Sequence, residues 1–359
     1  MERWMTDLCR AMPKVELHLH LDGALLPKTA LDLSAARQWR DFEEPLSYRQ
    51  MYGRLVVPHP LASQEELLSY FEIPGLLLQT EKALRRVTRE LIWEKAADHV
   101  CYCEIRWAPQ LHTAEGLSTR QVVETVLKES AAASRQAGVT VRLIAVGIRT
   151  HSLEQNLKML EEIAPFAGKG LAGVDFAGLE AKAPDALEQE AFFLRARELG
   201  FAITLHGGEL PGSAPRLAEQ IRQLRPARVA HGPGSADDPA LCALLREQNV
   251  MLDLCPTSNL QAGLYPDYES YPLRKLVEAG VPVSISTDDS VLSGLTLSDE
   301  YVNLLQAGQV DFPTLWRLNL DALGHAFLEP EEKTRLLSRL NIWASNLPDL
   351  QGNPAELEL

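Results

Sequence analysis

Cysteine is scarce in the 359-residue sequence: five in all, too few and too odd a number for a disulfide scaffold. A reducing compartment, the cytoplasm, is expected. There is no surplus of positive charge either. The 35 Lys and Arg are outnumbered by 49 Asp and Glu, a net charge of −14, which argues against general nucleic-acid binding. No apolar run approaches the roughly 20 residues of a membrane span. The opening stretch through Leu17 lacks a continuous apolar core, so no signal peptide is expected. Internal repeats and low-complexity segments are missing too. Hydrophobic residues at 46% and charged residues at 23% exclude wholesale disorder.

What is present is an alternation. Eight short apolar or β-branched runs read as strands: Val15–His20, Cys101–Trp107, Val139–Val146, Gly173–Phe176, Ala202–His206, Arg228–His231, Val250–Leu254 and Val281–Ser286. Amphipathic helical patterns separate most of them: Thr119–Gln136, Leu153–Phe166, Leu187–Leu199, Ala214–Leu224, Pro239–Gln248 and Tyr271–Ala279. Strand–helix alternation calls for a parallel sheet, and eight units close a (β/α)8 TIM barrel. A doubly wound open sheet would carry a Gly-rich phosphate turn after its first strand. Here that strand runs into His-Leu-His-Leu-Asp-Gly instead.

About eighty residues separate the first two strands. The segment 21–100 is expected to be a helical lid on the barrel mouth, with helices at Gln64–Phe71 and Glu81–Asp98. Closing helices are expected at Leu297–Ala307, Phe312–Ala326 and Pro330–Ser345. The expected division is one barrel domain over residues 1–347 and a loose tail over 348–359.

Active sites of such barrels lie at the C-terminal ends of the strands. The first strand ends with His18 and His20, the fifth with His206-Gly207-Gly208-Glu209, the sixth with His231-Gly232, and the eighth with Asp288-Asp289. Period two puts His18 and His20 on one face, with Leu17 and Leu19 on the other. Alone, that pair would equally suit a half-exposed strand. With His206 and Asp288 at the same rim, it makes a plausible Zn²⁺ set with water as a further ligand. Glu209 then overhangs the metal and can carry a proton, unless it is an ordinary surface glutamate. His231 is either a functional group or a satisfied buried histidine. Asp288 and Asp289 are adjacent, so one can bind metal while the other faces a substrate; a helix N-cap is the alternative.

Cys101 and Cys103 lack zinc-module spacing and read as buried apolar residues. Cys255-Pro256 is no CxxC, so the H-x-E…P-C-x-x-C deaminase signature is absent. His59, His99, His112, His151 and His325 read as structural. Arg106, charged within an apolar strand, needs a carboxylate partner if buried.

The motifs together resemble the adenosine deaminases of the amidohydrolase superfamily. The resemblance lies in Pro13–Gly23, Thr204–Glu209, Arg228–Gly232, Cys255–Asn259 and Ser286–Asp289, in family order. It implies a single zinc held by His18, His20, His206 and Asp288. Glu209 would give a proton to the purine ring. His231 would be the base or orienting group for the attacking water. Asp289 would contact purine N7, the Gly178 N–H ring N3, and Asp22 a ribose hydroxyl. Leu67, Leu68 and Phe71 would form the apolar cover, and His20 would border the substrate. Three positions depart from the pattern: Gly207 where alanine is common, Leu179 where an acid is usual, and Ser290 where proline is frequent. The fourth strand ends Asp175-Phe176-Ala177-Gly178, without the lysine that bridges a second metal, so one zinc is expected.

The implied reaction is hydrolytic deamination of adenosine or 2′-deoxyadenosine. Zinc makes water nucleophilic near pH 7, and a neutral Glu209 in a closed apolar pocket protonates N1. Adenine and a 6-amino-deoxyfutalosine-type nucleoside are the neighbouring substrates; Asp22 favours a nucleoside, because adenine-specific relatives tend to carry Glu there. The readings of another class are a barrel that binds purine nucleosides without turnover, and a metal-dependent hydrolase of some other amide or ester.

Overall fold

The computed structural model describes residues 3–347 apart from 59, 62, 181–184 and 211. His59 and the tail 348–359 therefore lie outside the described residues. Among the described residues, eight parallel strands follow one another in chain order. They are β1 (Lys14–His20), β2 (Val100–Trp107), β3 (Thr140–Ile148), β4 (Leu171–Ala177), β5 (Ala202–Gly207), β6 (Arg228–His231), β7 (Met251–Leu254) and β8 (Val283–Ile285). The ring closes just past β8. Asp288 N donates to His18 O at 3.1 Å and His20 N donates to Asp288 O at 2.7 Å. This is a (β/α)8 barrel, as the alternation predicts. β8 is shorter than expected.

The strands alternate by the pleat. In β1, Val15, Leu17 and Leu19 join the apolar layer shared with the surrounding helices. Glu16, His18 and His20 take the other face. The barrel interior is charged and paired. Arg106 finds the carboxylate it requires: Nη1 lies 2.8 Å from Asp175 Oδ2, and Nη2 donates to Leu17 O at 2.7 Å. Lower down, Arg228 pairs with Glu104, donates through Nε to Asp253 Oδ2 at 3.1 Å, and donates through Nη1 to His325 O at 2.8 Å. The Phe327 ring stacks 3.8 Å from the Arg228 guanidinium. Lys95 Nζ sits 3.2 Å from Glu16 Oε2, while Glu16 Oε1 accepts from Thr287 N and its hydroxyl.

Local signals explain most helix limits. Ser118 and Ser152 cap Thr119–Ala137 and Leu153–Ile163 in reciprocal boxes with Gln121 and Gln155. Gly138 ends the first of these at φ 73°. Between β1 and β2 lie a short turn at Asp22–Ala24 and five helices: Pro27–Ala36, Tyr48–Leu55, Gln64–Ser69, Glu72–Leu77 and Glu81–Ala97. Three of these, and the helix Arg3–Ala11, go beyond the sequence reading. Pro27 and Pro74 look like breaks, but each falls in a first turn, where no N–H is needed. After β8 come Leu297–Gln306, Phe312–Gly324 and Pro330–Ala344. Among the described residues no helix is long and apolar enough to cross a membrane.

The Arg228 cluster makes a stability prediction. Arg228→Met leaves the fully buried Glu104 without its cation and Asp253 with only the more distant Arg106, 3.6 Å away. It should destabilise the fold by about 3–5 kcal/mol in denaturant titration; a change within experimental error would show that the pair contributes no net stability.

Candidate active site

Four strand ends or the turns after them converge on one rim. β1 brings His18 and His20, and β5 brings His206. β6 brings His231, and the turn after β8 brings Asp288 and Asp289. One donor atom from each of His18, His20, His206 and Asp288 lies within 4.8 Å of the others. Three edges of this cluster are short. His18 Nε2 to His20 Nε2 is 3.2 Å, and Asp288 Oδ1 is 3.0 Å and 3.2 Å from those two nitrogens. Tetrahedral zinc bonds of about 2.0–2.1 Å give ligand-to-ligand edges of about 3.3 Å, so the donor set fits an ion of that size.

Electrostatics fit it as well. Burial, first of all, holds His206 down at about 4, and it holds His18 well below the usual imidazole value. Both are therefore neutral, as metal ligands must be. Burial alone would lower His20, but Asp288, Asp289 and Asp22 raise it to about 9, the sign of a site short of positive charge. Burial would raise Asp288, and the surrounding imidazoles hold it well below the carboxylate range instead. His231, Cys255 and Asp288 form a second possible donor group. Burial lifts the Cys255 thiol far above its usual value, which keeps it protonated and disfavours it as a ligand.

Supporting contacts fix these groups. His206 Nδ1 lies 2.8 Å from Asp175 Oδ2, the carboxylate already paired with Arg106. The Ser258 hydroxyl donates to Asp288 Oδ2 at 2.7 Å. Tyr271 donates to Asn259 Oδ1, which orients the amide so that Asn259 Nδ2 donates to His231 Nδ1 at 3.2 Å. Neutral His231 then carries its proton on Nε2, which faces Glu209 Oε1 at 3.7 Å and Asp288 Oδ2 at 3.6 Å. Burial, followed by the charges of Glu180 and Asp288, raises Glu209, opposed by His231 and Arg149. His231 and Asp288 both adopt left-handed backbone, at φ 69° and 62°. Non-glycine residues do so at a cost, most often where function requires it.

The family model described as adenosine deaminase matches residues 13–343. The chain belongs to the adenosine deaminase family. An adenosine deaminase of Clostridium perfringens is 32% identical over 90% of this chain and 97% of its own length. One of Enterococcus faecalis is 32% identical over 92% and 97%. Among solved structures, an adenine deaminase of Arthrobacter aurescens is 26% identical, covers 93% of this chain and 100% of its own, and superposes with a TM-score of 0.85. The protein is thus a hydrolytic deaminase of the 6-aminopurine class.

The deaminase places Asp22 beside this cluster, in the turn after β1, with Oδ1 buried and unpartnered among the described residues. Asp289 Oδ1 is likewise buried without a partner, and burial followed by the Asp288 charge pushes that carboxyl well up. Gly178 follows β4 at φ 125°. Leu67 is buried in a small apolar cluster with Val57, Leu61, Ala262 and Leu292, against which Phe71 packs. Leu68 is not part of it and is 37% exposed. Gly208, at φ 73°, is required: a Cβ there would stand 2.9 Å from Gly232 Cα. At Gly207 a Cβ would press Leu217 at 3.3 Å, which accounts for the smaller residue in the His-Gly-Gly-Glu turn.

Sequence reasoning gave no role to several residues here. Buried Arg149, just past β3, donates to His206 O, and its Nε and Nη1 have no partner among the described residues. Glu180 Oε2 accepts from Glu209 N at 3.2 Å. Gln64 Nε2 donates to Glu209 Oε1 at 2.8 Å. Arg149 alone had a legible signal, a charge immediately after a strand end.

Gly23 supplies the site's test. An added Cβ would fall 1.8 Å from Asp289 Oδ1, although the backbone there suits alanine. Gly23→Ala should displace Asp289 and lower kcat/KM about ten-fold or more, with the circular dichroism spectrum unchanged. Wild-type kinetics would mean that the position of Asp289 is immaterial.

Proposed function

We propose that this deaminase converts adenosine and 2′-deoxyadenosine to inosine and 2′-deoxyinosine with release of ammonia, using one zinc ion. The observation that carries the reading is the set of three imidazoles and one carboxylate beside a raised Glu209. His18, His20, His206 and Asp288 would hold the ion, whose Lewis acidity makes water nucleophilic near neutral pH. Glu209, whose protonated form burial favours, gives its proton to purine N1, which draws electrons from C6 and opens it to attack. His231 donates through Nε2 to the attacking oxygen and orients it. Asp288 Oδ2, 3.6 Å from that nitrogen, is the acceptor at hand for the proton that water releases. The C6–N6 bond then breaks. Of water's two protons, one replaces the proton Glu209 gave to N1 and the other leaves on ammonia.

The surroundings support a nucleoside. The half-buried Asp22 carboxylate, with Oδ1 buried and unpartnered among the described residues, suits a ribose hydroxyl, the Asp289 carboxyl purine N7, and the Gly178 N–H ring N3. Residues 21–100 act as the lid, with Leu67, Leu68 and Phe71 closing over the ring and excluding water. The residues up to 347 work as one barrel domain. A cleft of about 490 Å³ next to Glu209 is lined by Asp237, Asp238 and Tyr265, with no Lys or Arg among its described residues. A 5′-phosphate would meet two carboxylates there, of which Asp237 alone among the described residues is ion-paired, with Lys275 at 3.0 Å, and this disfavours a nucleotide. All five cysteines are buried and free, in keeping with a cytoplasmic enzyme.

The decisive assay is ammonia release from adenosine, adenine, AMP and 6-amino-deoxyfutalosine. Adenosine should be turned over fastest, and AMP at least roughly ten-fold more slowly. Preference for adenine would transfer the chemistry to the free base, and silence on all four would favour a binding-only barrel or another hydrolase. Elemental analysis should find about one zinc per chain, and a chelator should abolish activity reversibly. Glu209→Gln should lower kcat roughly 10²–10⁴-fold. Because the working form of Glu209 is protonated and burial raises its pKa, kcat/KM should hold at low pH and fall as pH rises through that raised value. An activity that climbs through the same range would reverse the assignment of acid and base.

A further inference from the structure

We infer that Gln64, on the first turn of the helix Gln64–Ser69, is a positioning residue for the proton donor Glu209: it dictates which carboxyl oxygen carries the proton and stabilises the charge left when the proton departs. The inference rests on the reading of Glu209 as the acid.

Three observations carry it. Gln64 Nε2 donates to Glu209 Oε1 at 2.8 Å across 145 positions of sequence. Gln64 Oε1 is buried and has no partner among the described residues, so Glu209 is the amide's one hydrogen-bonded anchor there. Gln64 also lies one turn before Leu67 and two before Phe71, a polar residue on the stripe that otherwise packs as the apolar cover. A polar side chain in that stripe needs a reason, and its contact with Glu209 provides one.

The consequence is chemical. An oxygen that accepts a hydrogen bond from the amide is not the one bearing the acid's proton. With Oε1 engaged by Gln64, the neutral acid holds its proton on Oε2, free to be given to N1. As that proton transfers, negative charge grows on the carboxyl, and the Gln64 N–H···Oε1 bond changes from neutral to charge-assisted, roughly doubling in strength. An interaction that strengthens along the reaction accelerates it, whereas one of constant strength does not. Because Gln64 belongs to the insertion and Glu209 to the barrel, the acid is completed only when the two are apposed.

The other groups facing Glu209 are His231 at the end of β6, Glu180 beyond β4, Arg149 beyond β3 and Asp288 beyond β8. None changes in the variants below, so any shift reports Gln64. Gln64→Met keeps the length and removes the donor. With adenosine, or with whichever 6-aminopurine the wild type turns over best, kcat should fall about ten-fold with KM within about three-fold. The high-pH limb of kcat/KM should move up, because the ionised acid has lost a donor. Gln64→Lys places a cation at the same oxygen and should move that limb down. Damage to the cover's packing would move neither limb. If both variants keep the wild-type limb, or if only KM changes, the role of Gln64 is overturned. Glu209→Gln separates this from the underlying assignment: retained turnover in that variant removes Glu209 as the acid, whereas its silence alongside unmoved Gln64 variants removes Gln64 alone.

Discussion

The barrel closes at its own cluster of histidines and aspartate. The seam between β1 and the turn after β8 consists of two main-chain hydrogen bonds, both made by Asp288, one to His18 and one to His20. The side chains of the same three residues form the short edges of the cluster. Ring closure and the convergence of these side chains are therefore one constraint. An open sheet could hold the two histidines of β1 together, because they share a strand face. It could not bring Asp288 to them, since that residue lies 268 positions further on. The left-handed backbone of Asp288 is the local cost of turning its carboxylate inward at the seam.

Around that seam, environment divides similar groups into different roles. Asp288 and Asp289 are neighbours and equally buried, yet imidazoles hold the first down while burial and the first one's charge push the second up. Glu209 follows Asp289 upward, again chiefly through burial. One wall of the site thus offers a carboxylate to a cation, and the other offers carboxyl groups able to stay protonated. Asp175 extends this order downward. A single oxygen lies 2.8 Å from both His206 Nδ1 and Arg106 Nη1, linking a ligand to the charged column that fills the barrel. That column explains how polar residues occupy an interior that is usually aliphatic in such barrels.

All eight strands and the rim residues were legible in the sequence, because both depend on local pattern. Strands announce themselves by β-branched runs, and position at a strand end marks the functional side of a barrel. His18, His20, His206, His231 and Asp288 all satisfy that rule. What was not legible depends on distant pairs. Asn259 matters through Tyr271 on one side and His231 on the other, and neither partner is near it in sequence. Gln64 looks like one more polar residue at a helix start until Glu209 is seen beside it. Two of the overlooked helices had a simpler cause. Pro27 and Pro74 resemble stop signals but occupy first turns, where proline is tolerated.

The division of labour that results bears on substrate choice within the family. The strand ends supply three imidazoles and a carboxylate that could hold a metal, together with Glu209 and His231, and on the proposed reading nothing in that group recognises a sugar or a phosphate. Groups that can recognise them lie in the turns and in the insertion: Asp22 just after β1, Asp237 and Asp238 beyond β6, and Leu67 with Phe71 on the cover. These lie in turns and in the insertion rather than in the strands that build the charged column. A barrel of this kind can therefore keep its deamination chemistry while its substrate changes. The apposition of Gln64 and Glu209 crosses that division, because on the proposed reading it draws a residue of the insertion into the chemistry itself. A cover that seats the wrong ligand would leave this amide off the acid, so fit at the sugar would be felt as rate at C6.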